Sequence, residues 1–93
     1  MKKLENKTTE IVDGKTNLKY SDLAVICMGN VPQGATYLEM EKNLDLVKKL
    51  RLSNGEINLE EAEHALLVDK VANFKWAMQH DDIVAFSKAI INA

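Results

Sequence analysis

The longest apolar pattern in the chain lies between Asn58 and His80, and it predicts one long central helix. Asn58 is a suitable N-cap, because its side-chain oxygen can accept a free backbone N–H of the first turn. Glu61 stands three residues later, where it can bond back to the cap and where a carboxylate suits the positive helix end. One apolar line runs Leu67, Val71, Phe74, Met78, and a second runs Ala65, Val68, Ala72, Trp76. A helix with a single dry face needs only one such line. The second line, Ala65, Val68, Ala72 and Trp76, is therefore a candidate partner face.

Alternation of apolar and polar residues places a hairpin at residues 8–20. Asp13-Gly14 is a two-residue turn signal, since both positions tolerate positive φ. That register puts Thr9, Ile11, Thr16 and Leu18 on one face. A lone ribbon is not stable, so it must pack on a helix or gain a third strand, for which Glu56-Ile57-Asn58-Leu59 is a candidate. Ser21-Asp22 then caps an apolar run, Leu23 to Met28, that Gly29 ends; cap and stop together favour a helix, with a buried strand as the alternative.

Asn30-Val31-Pro32-Gln33-Gly34 is a loop. Thr36 and Glu39 form a capping box that opens a helix with a stripe of Tyr37, Met40, Leu44, Val47 and Leu50. Lys48, Lys49 and Arg51 crowd its last turn, where cations suit the negative end of the dipole, and Ser53-Asn54-Gly55 stops it. The short connection predicts that this helix and the central one are antiparallel neighbours. A final helix from Asp81 to Ile91 presents Ile83, Phe86 and Ile90.

Length and charge narrow the functional classes. Ninety-three residues fit one domain, here with residues 1–7 expected as a flexible start, and leave little room for both a core and a large catalytic cleft. The net charge of −2 supplies no strong field for nucleic acid. Met1-Lys2-Lys3-Leu4-Glu5-Asn6 has no apolar segment after its lysines, so it does not resemble a signal peptide, and no run reaches membrane-spanning length. A single cysteine, Cys27, excludes an internal disulfide and fits a reducing cytoplasm; without a basic neighbour to activate it, it is expected to act as a small buried hydrophobe.

Three strings approach known motifs, and each fails at a named position. Gly29 to Thr36 has the spacing of a phosphate-binding loop, but Ala35 stands where the lysine belongs. Ser53 to Glu61 matches the second half of a calcium loop, but the first and third ligand positions fall on Leu50 and Leu52, which offer no oxygen. Glu61-Ala62-Glu63-His64 has the Glu-x-x-His spacing of di-iron bundles without the second copy such sites need, and the other histidine, His80, precedes the acidic start of the last helix. Lys42, Lys48, Lys49 and Arg51 could contact phosphates, but no interleaved aromatics support them.

Several strings together resemble small uncharacterised proteins of tailed bacteriophages and prophages. They are Lys3-Leu4-Glu5-Asn6-Lys7, Asp13-Gly14-Lys15, Asn30-Val31-Pro32-Gln33-Gly34, Ile57-Asn58-Leu59-Glu60-Glu61-Ala62, Trp76 and His80-Asp81-Asp82-Ile83-Val84-Ala85-Phe86. The resemblance spans most of the chain and implies a bacterial cytoplasm and a non-enzymatic role. It transfers no functional residues.

The expected fold is α+β, mostly helical, with an N-terminal hairpin packed on three to four helices. The expected function is a protein-interaction module, self-associating or binding phage or host proteins, with no catalytic residue, cofactor or metal and no membrane contact. The alternative is a small nucleic-acid-binding regulator that uses Lys42, Lys48, Lys49 and Arg51.

Overall fold

In the computed structural model, which describes residues 1–93, the chain begins with a strand rather than a flexible segment. The elements in order are β1 (Lys2–Glu5), β2 (Thr8–Asp13), β3 (Thr16–Lys19), α1 (Tyr20–Met28), α2 (Tyr37–Arg51), β4 (Glu56–Leu59), α3 (Glu61–Asn73) and α4 (Asp81–Ile91). The fold is α+β, with four helices and two separate two-stranded antiparallel sheets.

The hairpin β2–β3 forms as its alternation predicts, with the turn one residue later. Asp13 pairs with Thr16, so the loop is Gly14-Lys15. Gly14 alone takes positive φ, +66°, which fits a turn with glycine at its first central position. Thr9 and Ile11 are buried and Leu18 is half-buried, while Thr16 is exposed. An irregularity between Thr8 and Val12 shifts the register along the ribbon. The third strand, β4, does form, but it pairs with β1 (Lys2 with Leu59, Glu5 with Glu56) and not with the hairpin.

β4 also revises the central helix. Ile57 and Leu59 are completely buried, and Asn58 between them is half-buried. That alternation has the period of a strand, and pairing with β1 satisfies the backbone groups that a helix would have used internally. The helix therefore starts after Glu60, whose backbone N–H donates to Glu63 Oε1 at 2.7 Å, and Asn58 is not its cap. It ends at Asn73, so Phe74, Trp76 and Met78 lie in the irregular link to α4.

The short helix α1 occupies the middle of the molecule, packing on α2, α3 and β3. The run is helical and not a strand, and Leu23, Ala24, Cys27 and Met28 are each at most 2% exposed. Its start precedes the expected Ser21-Asp22 cap: Asp22 reaches back to the Lys19 N–H at 2.8 Å. α2 contributes Leu46, Val47 and Leu50 to the core, β4 Ile57 and Leu59, α3 Leu67 and Val71, and α4 Ile83, Phe86 and Ile90, as its spacing predicts. Each such side chain is worth roughly 1.5–3 kcal/mol of burial. α2 packs chiefly on α1; it meets α3 only along an edge, where Lys49 pairs with Glu63, so the two are not the close antiparallel neighbours expected.

Candidate interaction surface

The burial of α2 differs from its expected stripe. Residues on an α-helix turn by about 100° each, so Asn43, Leu46, Val47 and Leu50 share one side. That side is buried. Val47 and Leu50 belong to the expected stripe, but Tyr37, Met40 and Leu44 do not join the core: they are 76%, 49% and 50% exposed. They form a line beside the buried side that meets it at Val47. The polar Asn43 disguised the buried register, because an apolar count favours Leu44 in its place.

The charges of α2 are acidic at its start and basic at its end, with Lys42 and Asp45 between. Glu39 and Glu41 lie in its first half, and Lys48, Lys49 and Arg51 in its last turn. Thr36 Oγ1 accepts the Glu39 N–H at 3.2 Å as the cap of α2, and its hydroxyl donates to Glu39 Oε1 at 3.0 Å; the Glu39 carboxylate takes the hydroxyl rather than the Thr36 backbone N–H, so the expected capping box is only half formed. On the α3 side, Lys49 donates to Glu63 Oε1 at 2.6 Å. Burial would raise the Glu63 pKa, but the Lys49 hydrogen bond, the Glu60 N–H and the Lys49 charge outweigh it and hold the carboxyl below its ordinary range. Lys42, Asp45 and Leu46 line the same edge with Ala62, Glu63 and Leu66. The apolar line of Tyr37, Met40 and Leu44 is on the opposite flank.

The face expected on the central helix is interrupted. Ala65 and Ala72 are exposed on α3, but Val68 is half-buried against the core and Trp76 lies beyond the helix end. The Trp76 ring meets Phe74 at 4.5 Å and Phe86 at 6.5 Å, both edge-to-face, and Phe86 meets Tyr20 at 5.4 Å. Trp76 thus closes one end of the core. The four basic residues of the nucleic-acid alternative share α2 but not one face: Lys42 and Lys49 border α3, while Lys48 and Arg51 lie on the open side.

One cluster of polar side chains was not visible in the sequence. Glu10, His80 and Asp82 bring ligand-type atoms within 4.8 Å of one another. Two of the three are already engaged. His80 Nδ1 accepts the Asp82 N–H at 3.0 Å as the cap of α4, and Asp82 Oδ2 accepts the Glu10 N–H at 2.8 Å. A cation there would have to break the cap and face the positive end of the helix dipole. The cluster ties β2 to α4.

The remaining motif-like residues also make structural contacts. His64 Nε2 lies 2.8 Å from the Ile90 carbonyl, at the other end of α4 from His80. Gly29 follows a helix rather than a strand, so Gly29 to Thr36 is a connector. Cys27 is completely buried, and burial pushes its thiol pKa up to about 12, where it is inert as a nucleophile. No helix is long and apolar enough to cross a membrane.

No known protein family, characterised protein or solved structure matches the chain.

Proposed function

We propose that this protein is a non-enzymatic interaction module that binds another protein through the open flank of α2, in the bacterial cytoplasm and in a phage or prophage setting of the kind its sequence resembles. The observation that carries this reading is the exposure of Tyr37, Met40 and Leu44 in one line on a helix whose other side is core. Large apolar side chains scattered singly over a surface need no explanation, whereas a line of them rimmed by charge is the usual form of a docking site. A tyrosine and a methionine add area and adaptability that suit a contact surface.

The reading is tested by retention of proteins from bacterial lysate, infected and uninfected, on the immobilised chain and on its Leu44→Lys variant. A specific protein that survives nuclease treatment and is lost by Leu44→Lys supports it. Retention that disappears with nuclease moves the function to nucleic acid and to Lys48 and Arg51. Retention unaffected by Leu44→Lys removes α2 from the interface.

A further inference from the structure

We infer that the partner of α2 is α2 of a second copy of this chain, packed antiparallel with Leu44 at the two-fold axis. The inference rests on the reading of α2 as an interaction surface and adds the identity of the occupant.

The charge pattern around Leu44 supplies the argument. Glu41 lies three residues before Leu44 and Lys48 four residues after it. At about 100° per residue both fall on the same side of the line Tyr37–Met40–Leu44. Both are exposed, and neither forms an ion pair within the chain. An antiparallel two-fold axis through Leu44 brings Glu41 of each copy beside Lys48 of the other, at nearly equal heights along the helices. The same operation opposes Tyr37 and Arg51, which are each seven residues from Leu44, or roughly 10 Å along the axis. A guanidinium over a tyrosine ring is a favourable contact, and Arg51 is also free of ion pairs within the chain.

A parallel two-fold would carry Glu41 and Lys48 of the two copies to opposite sides of the seam, where neither meets an unlike charge of the other, and would align the two helix dipoles. The antiparallel arrangement opposes unlike charges and unlike helix ends. It is also isologous, so one patch satisfies both copies. A single helix of this length buries less area than a standard interface, so the dimer is expected to be weak and reversible.

The test is sedimentation velocity of the full chain at low salt over a wide concentration range, with circular dichroism to confirm that each variant is folded. The wild type is expected to pass from monomer to dimer as concentration rises. Leu44→Lys is expected to remain monomeric with an unchanged melting midpoint. Glu41→Lys and Lys48→Glu are each expected to weaken the dimer by roughly tenfold, since two pairs are lost and two like-charge contacts appear. The double variant Glu41→Lys/Lys48→Glu is expected to recover the wild-type dimer, because the pairs re-form with reversed sign. A chain that is monomeric throughout, a dimer indifferent to Leu44→Lys, or a double variant no better than either single one overturns the inference. A monomeric chain that still loses a specific lysate protein on Leu44→Lys overturns only the self-pairing and leaves the interaction reading in place.

Discussion

Asn6 holds the N-terminus of α1 through Ser21. Its Oδ1 accepts the Ser21 backbone N–H at 2.8 Å, and its Nδ2 donates to the Ser21 hydroxyl at 3.0 Å. The same Nδ2 donates to the Asn54 carbonyl at 2.7 Å, and the Asn6 N–H donates to the Gly55 carbonyl. One buried amide therefore joins the end of β1, the start of α1 and the turn before β4. Asn6→Ala strands a buried N–H and removes two donors, so it is expected to destabilise the fold by about 2–4 kcal/mol. Ser21→Ala removes only one acceptor and leaves Nδ2 bonded to Asn54, for an expected loss of about 1 kcal/mol. Urea denaturation of both variants measures the difference. Equal losses would mean that Asn6 acts through Ser21 alone.

The pair Lys49–Glu63 makes stability depend on pH. The Glu63 pKa is lowered in the folded state from its ordinary 4.5. Its contribution is therefore complete above the ordinary glutamate value and is lost as pH falls through the folded one. Both side chains are about one-third exposed, so solvent screening limits the effect to less than about 1 kcal/mol. Wild type is expected to exceed Glu63→Gln in stability at neutral pH, with the two converging in acid. A gap that persists into acid would assign the loss to packing rather than charge.

Much of the fold was legible because local signals and burial agreed. α4 formed with the face that its spacing predicts, Thr36 capped α2 through the Glu39 N–H, and Gly14 turned the hairpin. The misreadings fall where a local signal competed with a distant partner. Asn58 has the chemistry of a cap, but β1, more than fifty residues away in sequence, pairs with its backbone and draws Glu56–Leu59 into a strand. Leu44 has the chemistry of a core residue, but α1 packs on the side that carries Asn43. The partner face expected at Ala65, Val68, Ala72 and Trp76 assumed a helix that continues past Asn73, whereas Trp76 turns in against Phe74 and Phe86. The cluster of Glu10, His80 and Asp82 joins residues some seventy positions apart, and no spacing in the sequence announces it.

Trp76 reports on the core even though it lies outside regular structure. Its contacts with Phe74 and Phe86 place the only tryptophan of the chain against α4. Its fluorescence is expected to change in the same denaturant range as the helical circular dichroism, as a single cooperative unit requires. Trp76→Ala is expected to cost about 2–3 kcal/mol, below the range for a fully buried aromatic because the side chain is only partly buried. A fluorescence transition well ahead of the loss of helix would mean that the link 74–80 opens independently of the core.

The two sides of α2 are expected to respond in opposite ways to the same chemistry. Leu46 and Leu50 are at most 1% exposed, so truncation of either to alanine leaves a cavity and is expected to cost about 2–4 kcal/mol. Leu44 comes two residues before Leu46 and has half its surface in water. Leu44→Ala is expected to cost less than about 1 kcal/mol in dilute solution, because fewer buried contacts disappear and alanine is the better helix former. Thermal or urea denaturation at low concentration gives both values, and the low concentration keeps any self-association out of the comparison. If Leu44→Ala costs as much as Leu50→Ala under those conditions, Tyr37, Met40 and Leu44 are supported from within the chain, and the open flank of α2 is no longer available as a docking surface.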